Sequence, residues 1–447
     1  MAFALAPGQS ASRIRYNPDG SWFIGMNSTR LFSLALAVVS VALAQARREE
    51  LTFVVIVTRH GVRPPTVSND QIDPYSAEPW PKWDVPPGYL TAHGRALMKL
   101  FGAYDRARFA RAGLFSPMGC ADAEHVYFWA DTDERTIETG RALVEGMLPG
   151  CTVEVHSAPA GTRDPLFNPV GAGLGHPDPD LAAAAVSGRI GGHPEALLEA
   201  YRPALETMQQ LLTAGKPVKQ SLLELPVSLG PAAGGLPVMR GPFATASSLA
   251  SDFLLEYTNG MEGHDLDWGR LTESNLRQMM TVLTAYADLM WRTPQIGRTL
   301  ASNLLSHVEK AMEQAVTGKA VPGAMGKPGD KMLVIVGHDG NLSNIQGTLN
   351  LSWLIPGDLP NETPPGGALV FELWRQPAGG EYSVRTYYTA QTLDQMRQAL
   401  PLTLDSPPAK ATVFVPACST AKVGSPCDWK AFQRTIETAI DPAFVKP

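Results

Sequence analysis

Residues 51–58, LTFVVIVT, form an unbroken apolar and largely β-branched run. A strand with one wet face alternates apolar and polar residues. This one does not, so it has to be covered on both faces. Further strand patterns lie at 125–130 (HVYFWA), 331–337 (KMLVIVG), 366–374 (GGALVFELW) and 381–390 (EYSVRTYYTA), the last two reading as a hairpin. Helical patterns separate them. Residues 89–115 place Leu97, Leu100, Phe101 and Tyr104 on one face, with Thr91 as the cap. Residues 133–148 open on acidic residues and stop at Pro149-Gly150, and NLSNIQGTLNL follows the third strand. The alternation predicts an α/β fold: a central, mostly parallel sheet flanked by helices. Residues from about 165 to 315 lack strand signals and hold helical stretches such as TASSLASDFLLEYTNGM and ESNLRQMMTVLTAYADLMWR. They read as a mostly helical subdomain inserted into an α/β unit spanning 47–447.

The chain has 447 residues, 44% of them apolar and 18% charged, which suits a globular enzyme. A net charge of −6 argues against a nucleic-acid partner. Near the N-terminus, Arg30 precedes LFSLALAVVSVALA (31–44), a run too short to cross a bilayer comfortably. Ala44 and Ala46 then offer a small-x-small cleavage site. Residues 1–46 therefore read as an N-terminal extension and signal peptide, with Met26 as a start that leaves a signal of ordinary shape. Export to the periplasm or beyond is expected, with no membrane attachment after cleavage. Four cysteines allow three connectivities. By sequence they fall into two near pairs, Cys120 with Cys151 and Cys418 with Cys427, and an oxidising compartment permits bridges.

In an open α/β sheet, ligands bind beyond the carboxyl ends of the strands. Three strand ends here carry reactive groups. The first supplies Arg59, His60 and Arg63, the second Asp131, Asp133 and Arg135, and the third His338 and Asp339. Guanidinium forks bind phosphate oxygens in pairs, and three of them can neutralise a phosphoryl group in transfer. A histidine among them can attack phosphorus, and the nearby positive charge keeps its ring neutral, as a nucleophile must be. A carboxylic acid can then protonate the leaving alkoxide.

The motif RHGVRPP (59–65) resembles the R-H-G-x-R-x-P of the histidine acid phosphatases, the acid branch of the histidine phosphatase superfamily. GHDGN (337–341) resembles that family's downstream H-D element, and ADTDERT (130–136) its internal arginine region. PKWDVPPGYLTAHG, DPLFNP, WGRLT and TPPGGALVFELW also look like stretches of bacterial periplasmic phytases and glucose-1-phosphatases. The resemblance covers residues 51–430. It implies a phosphohistidine formed on His60, a phosphate clamp of Arg59, Arg63, Arg135 and His338, and Asp339 as proton donor. Thr66 falls where the family often contacts substrate. A helical domain over the site, bridges Cys120–Cys151 and Cys418–Cys427, and a small phosphomonoester substrate are implied too. No metal or cofactor is implied, and the oligomeric state is left open. Two positions depart from the family: Gly340 stands where close relatives carry Thr or Ser, and Val67 where one type of bacterial phytase has Lys.

Two other readings compete. DTDERT resembles the D-x-D-x-T/V signature of magnesium-dependent aspartate-nucleophile phosphatases, but Arg135 takes its fifth position. An exported phosphate-ester binding protein would use the same clamp, yet would need neither His60 nor Asp339.

Overall fold

The structure, a computed structural model, describes residues 49–232, 234–376 and 380–446, so the signal-like segment at 1–46 lies outside the described residues. Ten strands and nine longer helices matter here. The strands are β1 (Glu50–Arg59), β2 (Val126–Ala130), β3 (Val155–Ser157), β4 (Ser228–Pro231), β5 (Pro237–Arg240), β6 (Met332–Gly337), β7 (Ala368–Arg375), β8 (Tyr382–Ala390), β9 (Ala409–Thr412) and β10 (Cys427–Asp428). The helices are α1 (Ala92–Arg111), α2 (Glu134–Met147), α3 (Pro179–Ile190), α4 (Arg202–Thr213), α5 (Pro242–Thr258), α6 (Glu273–Met290), α7 (Pro294–Thr317), α8 (Asp339–Leu349) and α9 (Trp429–Ala439).

The main sheet has the order β10-β8-β7-β1-β6-β2-β3, with β9 also paired to β8. Strands β1, β6, β2 and β3 run parallel, and β7, β8, β9 and β10 extend the sheet antiparallel. The unbroken run of β1 is covered on both faces, as its pattern requires. Val55 and Val57 enter a core with α7, α8 and α9, while Val54 and Ile56 enter one with α1 and α2. Burying each such side chain stabilises the fold by about 1.5–3 kcal/mol. At α1, Thr91 caps the helix by accepting from the Gly94 amide. A Cβ on Gly94 would stand 2.4 Å from the Val62 carbonyl, so glycine lets the helix press against the loop leaving β1.

Between β3 and β6 the chain is largely helical, and α3, α4, α5 and α6 share a second core with Ile72 and Trp80. Helix α7 adds Ile296 to that core but packs most of its length on the sheet. The small β4–β5 hairpin lies in the stretch without strand signals. It is short and proline-bounded, so its pairing rather than its pattern defines it. Among the described residues, no helix is long and apolar enough to cross a membrane. Both cysteine pairs are bonded, Cys120 to Cys151 and Cys418 to Cys427.

Candidate active site

Sheet register brings the three strand ends together. Thr58 pairs with Val336 and Ala130 pairs with the same Val336, so the three stand in one row across β1, β6 and β2. The next residues along each strand leave the sheet side by side. The His60 amide donates to the Gly337 carbonyl (2.9 Å), and the Asp131 amide to the Val336 carbonyl (3.0 Å). On the other flank of β1, the Gly366 amide donates to the His60 carbonyl (3.0 Å). His60 is thus held from both sides by backbone.

The ring of His60 is 1% exposed. Its Nδ1 lies 2.8 Å from the Gly61 carbonyl, which can only accept, so Nδ1 carries the proton and Nε2 the lone pair. The Gly61 amide in turn donates to Thr139 Oγ1 on α2 (2.9 Å). Burial, then the charges of Arg63, Arg59, Arg135 and His338, push the His60 pKa well below the ordinary imidazole value. The ring is therefore neutral in mildly acidic water, with an available lone pair.

Arg59 is 2% exposed, and burying a guanidinium is costly without partners. Its Nη1 donates to the Thr363 carbonyl (2.6 Å), and its Nη2 lies 3.1 Å from Asp339 Oδ2. Arg63 donates to the Pro64 carbonyl (2.8 Å). Burial and the neighbouring Arg59 and Arg135 lower its pKa to about 10, while Asp339 and Asp252 pull the other way. Arg135, in the first turn of α2, donates to Asp133 (2.6 Å) and to the Gly88 carbonyl (3.4 Å). Among the described residues, the buried Nε groups of Arg59, Arg63 and Arg135 have no hydrogen-bond partner. Three crowded guanidiniums with unused N–H donors make an anion site.

His338 caps α8, and its amide donates to Asn341 Oδ1 (3.0 Å). Its Nε2 donates to Asp131 Oδ2 (2.7 Å), and its ring meets that of His60 edge-on with centroids 5.6 Å apart. Asp339 opens α8. Burial pushes its carboxyl up, but Arg59, Arg63 and His338 pull it further down, so it lies below the usual carboxylate range. Thr66 is exposed in the loop after β1. Its methyl group and the Arg135 Nη1 lie equally near Gly88, each 3.5 Å from where a Cβ would stand, so Thr66 borders the clamp. The Gly340 position is open: a Cβ there would meet nothing within 4 Å.

Asp131, Asp133 and His338 lie close enough to share an ion. Their chemistry is already engaged: Asp133 receives Arg135, whose guanidinium lies 3.5 Å from His338 Nδ1, and Asp131 receives His338. Asp131, the first Asp of the D-x-D signature, is tied to His338 and Asp133 to Arg135, so both its carboxylates are held as acceptors in this arrangement. Sequence reasoning named Asp131 without giving it a task, and it missed Thr139 and Thr363 altogether. Thr363 sits in TPPGG, a stretch noticed only for its resemblance.

Known proteins resemble this chain over most of its length. The family description "Histidine phosphatase superfamily (branch 2)" matches residues 50–190 and 264–389. Phytase AppA of Escherichia coli (strain K12) is 34% identical over 421 residues, covering 90% of this chain and 95% of that protein. Glucose-1-phosphatase of Providencia rettgeri is 27% identical, covering 87% and 91%. Among solved structures, Hafnia alvei phytase in complex with tartrate superposes with a TM-score of 0.82 at 34% identity, covering 89% of this chain and 99% of its own. The phytase from Citrobacter braakii gives 0.83 at 34% identity, covering 89% and 100%.

Proposed function

The chain belongs to the histidine phosphatase superfamily (branch 2) and is a histidine acid phosphatase, and we propose that it works through a phosphohistidine on His60. The observation that carries this reading is His60 itself: Nδ1 tied to a carbonyl, Nε2 bearing the lone pair, and three guanidiniums around it. A phosphomonoester places its phosphate among Arg59, Arg63, Arg135 and His338. The His60 Nε2 attacks phosphorus while the bond from phosphorus to the ester oxygen breaks, and the leaving alkoxide takes a proton from Asp339. Water then attacks the phosphohistidine, Asp339 accepts its proton, and inorganic phosphate leaves with His60 restored.

Asp339 is ionised by its neighbours in the free protein. Bound phosphate brings negative charge beside it and answers the same guanidiniums, which moves its pKa up in the complex. The substrate supplies the condition for its own acid. Phytate and sugar phosphates such as glucose 1-phosphate are the proposed substrates, by analogy with the named relatives. Export to the periplasm or the medium is proposed from the signal-like segment and the two disulfides.

Turnover on a panel of phosphomonoesters, with and without a chelator, tests the reading. Activity should survive the chelator. Acid quench with labelled substrate should trap an acid-labile, base-stable phosphoenzyme, as a phosphoramidate is. His60→Ala should lose both the trapped species and several orders of magnitude in turnover. A base-labile species, or near-normal turnover by His60→Ala, would overturn the assignment.

A further inference from the structure

DPLFNP (164–169) has no part in the chemistry above, yet its backbone reaches the catalytic histidine pair. Asp164 is 4% exposed and holds the turn from inside. Its Oδ1 accepts from the Leu166 amide (2.8 Å), and its Oδ2 from Trp129 Nε1 on β2 (2.8 Å). Its own carbonyl accepts from the amides of Phe167 (3.2 Å) and Asn168 (2.9 Å). The turn thereby presents Phe167 to the end of β6. The Phe167 ring packs over Gly337, where a Cβ would come within 2.8 Å of it, and meets the His338 ring edge-on at 6.4 Å. The Phe167 carbonyl accepts from Asn341 Nδ2 (2.9 Å), and Asn341 Oδ1 accepts from the His338 amide. Two routes, a ring contact and a hydrogen-bonded amide, run from this turn to His338.

Leu166 and Phe167 are both buried in the core on the α7–α8 face of the sheet. Asp164, Pro165 and Leu166 also border a cavity of about 560 Å³ shared with Trp129, His307 and Met325, where Asn303 Nδ2 donates to the Pro165 carbonyl (3.0 Å). A segment that borders a cavity has fewer packed neighbours on that side, so its hydrogen bonds contribute to fixing its position. We propose that Asp164 is a positioning residue for the phosphate-clamping His338, acting through the Phe167 turn and Asn341.

The inference rests on the clamp role of His338 proposed above, and one double-mutant cycle separates the two claims. Misplacing a reacting or clamping group by about 1 Å costs on the order of 100-fold. Asp164→Ala should therefore lower kcat/KM by roughly 10- to 100-fold in the otherwise unaltered protein. In a His338→Ala background the same change should cost less than about threefold, because nothing is left to position. A merely structural Asp164 would give the same loss in both backgrounds, and that result overturns the proposal while leaving the clamp intact. A His338→Ala protein with undiminished kcat/KM would instead remove the clamp reading, and the positioning role with it. Should Asp164→Ala fail to fold, Phe167→Leu enters the same cycle. The proposal then requires a loss confined to the background that retains His338, and equal losses overturn it.

Discussion

Glu362 sits directly before Thr363, the residue whose carbonyl holds Arg59, and it is 9% exposed. Burial first, and then the Asp358 carboxylate, raise its pKa from an ordinary 4.5 to about 8, although the Leu359 amide and Arg277 pull it down. The folded protein therefore keeps a proton that the unfolded chain gives up. For a carboxyl raised in this sense, the stabilisation is complete below the unfolded pKa and is lost as pH rises through the folded one. The difference, from 4.5 to about 8, corresponds to about 5 kcal/mol at 1.36 kcal/mol per pH unit. Glu362→Gln keeps the shape and an oxygen for the Leu359 amide but cannot ionise. Denaturant unfolding at pH 5 should find the variant within about 1 kcal/mol of the natural protein. At pH 8 the variant should be the more stable by roughly 2–5 kcal/mol. Superimposable stability-versus-pH curves for the two proteins would mean that Glu362 takes up no proton on folding.

Three further outcomes are expected. Asp339→Asn should slow phosphoryl transfer from alkyl phosphates by roughly 10²–10⁴-fold in single turnovers, and much less from p-nitrophenyl phosphate, whose leaving group hardly needs a proton; equal losses would deny Asp339 the acid role. Because burial and the surrounding arginines hold the His60 pKa far down, the acid limb of kcat/KM should lie below the ordinary imidazole value, and Arg63→Met should move it to higher pH. A profile unmoved by that change would disconnect the two residues. Removing Cys120–Cys151, which spans 31 residues, should cost about 1 kcal/mol more stability than removing Cys418–Cys427, which spans 9; denaturation of the two double-alanine variants measures the difference, and the reverse order would count against the loop-entropy argument.

The parts of this site that could be read from sequence are those where chemistry and pattern coincide. Arg59 and His60 end a run that has to be a buried strand, and His338 ends another, so their meeting follows from parallel pairing. The remainder depends on contacts no local pattern carries. Asp131 gains its task only because β2 lies next to β6 and delivers its carboxylate to His338. Asp164 is held by the indole of Trp129, 35 residues away. Thr363 matters through a main-chain carbonyl, a group every residue possesses. The short strands β9 and β10 escaped notice because AKAT and CD are too short for a pattern to stand out, and pairing with β8 defines them. The cysteines fell into the pairs that their spacing suggested.

Strand β6 lies between β1 and β2, although more than 200 residues separate it from either in the chain. As the polypeptide emerges N-terminus first, β1 and β2 have no ladder with each other, and the two halves of the phosphate site stay apart. Helices α1 and α2 can pack early, since their contacts are local, but the row of Thr58, Val336 and Ala130 that aligns the strand ends waits for the last third of the chain. A chain that stops before β6 thus carries RHGVRPP without Gly337 and His338, which adjoin His60 in the complete fold. The arrangement around His60 is a property of the finished sheet, complete only once β6 has been made.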